Sequence, residues 1–353
     1  MTRDIALIVP KASYGDQQIL NAGSLFRYYS EAMSEQHGRF IPIFALATAG
    51  CLWGTGFFFG KIALREMPVS TMVLFRLLFA CAGLLPFLFI DRPRFARAEW
   101  VWVLAAAALG VPVVFLLQFK GLSLTTVSHA ALMVGTLPIL LAIAAVLFAG
   151  EQLHSTTRGI ISRTRSVAAV LFTGEQLHLG GWFAVLVSTV GAGMIALSSG
   201  RDSGAAGPTP RGDLLVVLSM FAAIGWILIS KRLMQGHSAL MVTAFVYWIG
   251  TMMLAAVVTM ASGLPSVHYS SRAWVAVAEQ GLLATATTAV LWNWGLKRVP
   301  ESQAGIFINL EPLVGAILGV SVLHETLGRM ALAGGALILG GAAYLSFRPL
   351  SGS

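Results

Sequence analysis

Apolar residues in this chain come in long unbroken runs, not in the alternation of a half-buried strand. Ten such runs are read, near Phe40–Leu64, Val69–Ile90, Trp100–Phe119, Val127–Phe148, Gly180–Ser198, Leu214–Ser230, Ala239–Met260, Ala273–Gly295, Ala304–Leu323 and Met330–Phe347. Each is close to the roughly 17–25 residues that a helix needs to cross a bilayer. Lipid offers the backbone no hydrogen bonds, so continuous runs of this length satisfy themselves as helices. The pattern predicts an all-α polytopic membrane protein with ten transmembrane helices.

Composition agrees: 57% of the 353 residues are hydrophobic and only 11% charged, with a mean hydropathy of +0.79. The net charge of +8 does not indicate a nucleic-acid partner, because the basic residues lie between the runs and not in one block. Arg92, Arg94, Arg97, Lys231, Arg232, Lys297 and Arg298 all fall on the side that a cytoplasmic N-terminus would share. This positive-inside bias places both termini in the cytoplasm. Residues 1–39 read as a mobile cytoplasmic extension with no cleavable leader, 199–213 as a periplasmic linker and 348–353 as a cytoplasmic tail. Cys51 and Cys81 stand inside apolar runs and read as packing residues.

The two halves of the chain resemble each other. "LQFKGLSLTTVSHAALMVGTLPILLAIAAVLFAGE" aligns without a gap on "LWNWGLKRVPESQAGIFINLEPLVGAILGVSVLHE" at a constant offset of 174 (295 − 121), matching Gly121 with Gly295, Ser128 with Ser302, Pro138 with Pro312 and Glu151 with Glu325. Lys61 and Lys231 pair in the same way at an offset of 170 (231 − 61). Five helices thus follow five, 40–198 and 214–347. Because five is odd, the second set enters the membrane from the opposite side, giving two inverted five-helix repeats of the kind found in secondary transporters.

The five-plus-five plan, the "P…GE" and "P…HE" endings of the fourth and ninth helices and the glycine-rich helix after each resemble EamA-type members of the drug/metabolite transporter superfamily. The resemblance covers Phe40 to Phe347. It implies a carrier of small metabolites or drugs, often an exporter, in the bacterial inner membrane. Amino acids are its leading substrate class and multidrug or organic-cation efflux is the alternative.

A second, younger repeat interrupts that plan. "AAVLFAGEQLH", ending at His154, recurs as "AAVLFTGEQLH", ending at His178, 24 residues on (178 − 154). The apolar part of the extra segment, Val167–Phe172, is too short to span, and Arg163 and Arg165 precede it. It reads as a tandem duplication in the loop near 151–175, with no role in transport.

Ionisable groups inside membrane helices are costly and commonly face a cavity, so they head the candidates. Glu311 precedes Pro312 in "INLEPLVGA", where a proline bends the helix; it would take up a proton or pair with a substrate ammonium, or alternatively fix the helix through a basic partner. Arg76 would attract a carboxylate or phosphate, or else form a structural ion pair or snorkel to the outer interface. Trp53, Trp248 and Asn309 lie deep enough to line a pocket, and His129 is a candidate proton relay or a structural histidine. Pro138 and Pro312 are helix kinks. Gly191, Gly193, Gly334, Gly335, Gly340 and Gly341 read as packing or hinge surfaces. Lys61 and Lys231 read as interfacial anchors, and Glu325 as a gating or capping residue.

An intramembrane enzyme would need a metal or nucleophile set such as HExxH, and "HE" at His324–Glu325 lacks the second histidine; no catalytic residue, metal or cofactor is expected. A channel remains the other class. The expected partners are a small-molecule substrate, the lipid bilayer and protons as a coupling ion; the oligomeric state is open.

Overall fold

The structure is a computed structural model that describes residues 22–90, 95–137, 140, 179–198, 208–298 and 307–347. Most of the N-terminal extension, Pro138 and the duplicated stretch lie outside the described residues. The chain divides into two compact units, Met1–Ile41 and Pro42–Ser353. The first contributes helical backbone from Ala22, and the second holds the packed helices.

The described residues form helices joined by turns and loops, without strands. In chain order the helices are α1 (Ala22–Ala63), α2 (Val69–Ile90), α3 (Trp100–Leu124), α4 (Val127–Val134), α5 (Leu179–Ser198), α6 (Pro210–Met234), α7 (Ala239–Ser262), α8 (Ser271–Leu296), α9 (Leu310–Ser321) and α10 (Arg329–Phe347). Among the described residues, six stretches are long and apolar enough to cross a membrane: Ile41–Ala63 and the whole of α2, α3, α6, α7 and α8. Shorter apolar stretches fall in α5, α9 and α10.

Caps set several of the boundaries. Thr209 accepts from the Gly212 N–H and Ser270 from the Ala273 N–H, so α6 and α8 start upstream of their apolar runs. Pro210, at the first position of α6, lacks an N–H that the helix would leave unpaired in any case. Glu325 closes the start of α4 from across the fold, accepting from the Val127 and Ser128 N–H groups at 2.7 and 2.8 Å. Lys61 donates to the carbonyl oxygens of Leu122 and Thr125 at the negative, C-terminal end of α3. Lys61 thereby caps the C-terminal end of α3.

α3 and α8 each contain a π segment, Leu109–Val113 and Leu282–Thr287. Pro112 accounts for the first, since proline removes one helical hydrogen bond and crowds the preceding turn. In α8 the hydroxyls of Thr285 and Thr287 donate to carbonyls five residues back, at Gln280 and Leu282. They stabilise the widened turn.

α2 packs against α7 and α8, α3 against α6 and α7, α4 against α9, and α5 along α10. The last pair meets where both backbones lack side chains: a Cβ on Gly191 or on Gly334 would lie 2.5 Å from the other's carbonyl oxygen. Gly335 faces Leu132, and Gly341 the Ala184 backbone. Gly193 and Gly340 have nothing within 4 Å, so the packing expected of them is corrected. At about 100° per residue, Gly193 points roughly opposite Gly191, and Gly340 lies off the stripe that Gly334 shares with Gly341.

Candidate functional site

Arg76 is 6% exposed in the middle of α2. Its guanidinium carbon lies 4.4 Å from the centre of the Phe115 ring and 4.8 Å from that of Phe119. One nitrogen, Nη2, donates to Thr285 Oγ1 at 2.9 Å. The same hydroxyl donates to the Gln280 carbonyl at 2.7 Å, so the π segment of α8 is what aims Thr285 at Arg76. The snorkelling alternative for Arg76 is thereby set aside. Aromatic faces and a hydroxyl replace water around the charge, which keeps it inside the protein.

Two carboxylates lie within electrostatic reach of this guanidinium, Glu279 on α8 and Glu311 on α9. Glu311 is half-buried, and α1 approaches its backbone closely: a Cβ on Gly54 would sit 2.7 Å from the Glu311 carbonyl. The next residue, Thr55, is 2.6 Å from Glu279 Oε1 and 2.6 Å from its own Leu52 carbonyl. Glu279 Oε2, the Gln280 side-chain amide and Arg76 Nε are enclosed and bonded to nothing. Four helices, α1, α2, α8 and α9, thus bring one cation and two acids together with hydrogen-bonding capacity to spare.

Glu279 is the residue that sequence reasoning missed. With Glu311 it lies within electrostatic reach of one arginine. The signal was present, because Glu279 stands inside the run Ala273–Gly295 just as Glu311 stands inside its own.

The other candidates separate. Trp53 packs on Trp292 with ring centroids 5.0 Å apart. Trp248 donates through Nε1 to the Cys81 carbonyl at 3.2 Å, and Asn309 is half-buried, one residue before α9. Pro312 is buried in the first turn of α9. His129 belongs to a different group: its Nδ1 lies 3.3 Å from Asp213 Oδ2, both residues are buried, and Asp213 also accepts from Thr125 Oγ1 at 2.6 Å. That group joins the starts of α4 and α6.

The sequence pattern of the EamA-like transporter family matches residues 40–161 and 210–347. The chain belongs to that family. Among similar proteins, this EamA-like transporter is 24% identical over 300 residues to an uncharacterized transporter of Archaeoglobus fulgidus, covering 84% of this chain and 94% of the other. It is 23% identical over 319 residues to the uncharacterized transporter YetK of Bacillus subtilis, covering 88% and 87%. A crystal structure of a protein 17% identical in sequence superposes with a TM-score of 0.56 over 88% of this EamA-like transporter and 99% of the other chain. That likeness speaks to the fold alone. The chain is therefore a multi-pass membrane transporter.

Proposed function

We propose that this transporter is a secondary carrier, working as an exporter of small organic metabolites such as amino acids by alternating access between two inverted five-helix halves. It sits in the bacterial inner membrane with both termini cytoplasmic, and ten helices cross the bilayer. The observation that carries the reading is the group of buried Arg76 with half-buried Glu279 and Glu311, built from helices of both halves and holding unused polar atoms on Arg76 and Glu279. Such a site at the junction of two repeats is where carriers of this architecture take their substrates.

Support for the inverted halves comes from contacts that recur under the two offsets. Gly121 meets Val216 and Gly212, while Gly295 meets Leu46 and Pro42. Gly250 meets Ala107, while Gly281 meets Ala80; Gly110 meets Trp226, while Ala284 meets Gly56. Each second contact is the first with its residues shifted by 174 in α3 or α8 and by 170 in α1, α2, α6 or α7. The Cys81 thiol donates to Thr251 Oγ1 at 3.3 Å across a separation of 170, so this pair maps onto itself. The two π segments also occupy matching positions. On this reading the close Gly191–Gly334 crossing is a surface on which α5 and α10 slide.

Counterflow in proteoliposomes with labelled amino acids, nucleosides and organic cations tests the proposal, using the native chain and Glu311→Gln with and without a proton gradient. Specific exchange of one class is expected, with gradient dependence lost in the variant. Absence of exchange by well-folded protein would sink the carrier reading. Organic-cation efflux is the second reading, favoured by the excess of acids over basic groups in the site.

A further inference from the structure

A groove of about 700 Å³ opens between the turn that joins α1 to α2 and the last turns of α3. Its volume suits a single small-molecule occupant. Leu64, Met67 and Val69 line it from the turn, and Leu116 and Leu117 from α3. Ser70, Lys120 and Ser123 supply its polar side chains.

On α3 the lining is graded from apolar to polar. Leu116, Lys120 and Ser123 follow one another at spacings of four and three residues, so they share one stripe of the helix. Over about 10 Å of helix that stripe passes from aliphatic to charged to hydroxyl side chains. It is turned away from the packed interior: Phe115 and Phe119 face Arg76, and Gly121 meets α6. At about 100° per residue those contacts occupy other sides of α3, and Lys120 is exposed.

Lys120 leaves α3 about 6 Å before the helix ends at Leu124, close enough for a snorkelling ammonium to reach the membrane surface. Its charge is not cancelled within the protein. No acid lines the groove, and Lys120 has none at ion-pair distance among the described residues. Glu66, the acid of the neighbouring turn, is held by Ser270. The groove thus presents a positive charge at the membrane surface with an apolar floor beneath it. A small soluble anion would leave the floor uncovered, and a neutral chain would leave the ammonium without a counter-charge. An amphiphile with a negative charge beside its apolar chain complements both.

We propose that this groove holds one anionic phospholipid, with its phosphate at the Lys120 ammonium and the Ser70 hydroxyl and one acyl chain against Leu116 and Leu117. On the orientation proposed above, the lipid belongs to the periplasmic leaflet. So placed, it ties the α1–α2 turn to α3. The groove lies apart from the Arg76 group, and the assignment does not depend on what is carried there.

Native mass spectrometry of the delipidated full-length protein tests the assignment by counting bound lipids. The probes are dioleoyl phosphatidylglycerol, dioleoyl phosphatidylcholine with the same chains, and glycerol 3-phosphate, which carries the charge without them. One phosphatidylglycerol is expected to be retained about fivefold more strongly than phosphatidylcholine, the preference that one lysine at a membrane surface confers. It should also raise the unfolding temperature, as a ligand of the folded state does. Lys120→Gln should abolish both effects. Arg272→Gln, which neutralises an exposed cation at the start of α8 outside the groove, should keep them. Glycerol 3-phosphate should neither bind nor displace the lipid; if it does, the ligand is a soluble phosphate ester and the lipid assignment falls. Equal retention of the two lipids, a preference that survives Lys120→Gln, or an equal loss in Arg272→Gln would overturn it as well. The comparison of lipids on the native chain stands even where a variant fails to fold.

Discussion

The Ser270 hydroxyl donates to Glu66 Oε1 at 2.7 Å, and the Ser270 N–H to Oε2 at 3.1 Å, which ties the turn between α1 and α2 to the start of α8. These two bonds, the hydroxyl's first, hold the Glu66 carboxyl below its usual range. A depressed carboxyl contributes stability that is fully present above its unfolded value, about 4.3, and is lost as pH falls through the lower folded value. Purified protein should lose thermal stability on acidification through that window. Glu66→Gln leaves the Ser270 cap intact and should flatten this part of the profile; an unchanged profile would show that the tie is not felt.

The α5–α10 crossing predicts a sharp contrast between glycines on the same helices. Gly334→Ala puts a methyl group 2.5 Å from the Gly191 carbonyl and should cost about 1–3 kcal/mol by overpacking. Gly193→Ala and Gly340→Ala enter open space and should be neutral or stabilising by up to about 1 kcal/mol through helix propensity. Unfolding in detergent decides between them, and equal effects at all three positions would count against the crossing.

Thr285→Val removes the acceptor of the Arg76 guanidinium and the hydroxyl that supports the π segment. In a double-mutant cycle with Arg76→Gln the coupling should be about 1–2 kcal/mol, the upper range for polar pairs between membrane helices. Additive losses would mean that the 2.9 Å contact carries no energy.

At the starts of α4 and α6, Asp213→Leu leaves the buried Thr125 hydroxyl without its acceptor and should cost about 1–3 kcal/mol. His129→Gln should cost less and leave the proton-gradient dependence of transport intact. Intact uptake with that dependence lost would put His129 in the proton path.

The long helices were legible because their apolar runs end at strong punctuation: α2 occupies Val69–Ile90 between Pro68 and Asp91. α6 and α8 begin earlier than their runs because capping by Thr209 and Ser270 depends on hydrogen bonding, to which hydropathy is blind. Arg76 and Glu311 could be found as charges within apolar sequence, but their shared surroundings could not, since α2 and α9 are far apart in the chain. Glu279 was obscured by its polar neighbour Gln280, and the π segment of α8 has no spacing signature. Nor does spacing reveal that Gly193 faces away while Gly191 packs; that depends on which stripe of α5 meets α10.

His129 and Asp213 have Gln303 and Ile43 at the corresponding places of the other half. Two matched halves without such a difference would idle equally on either side of the membrane. A contact worth about 1 kcal/mol, made in one posture and broken in the other, shifts the resting occupancy about fivefold. On the alternating-access proposal, gradients dictate net flux, and a contact made in one half alone biases the side on which the unloaded protein waits.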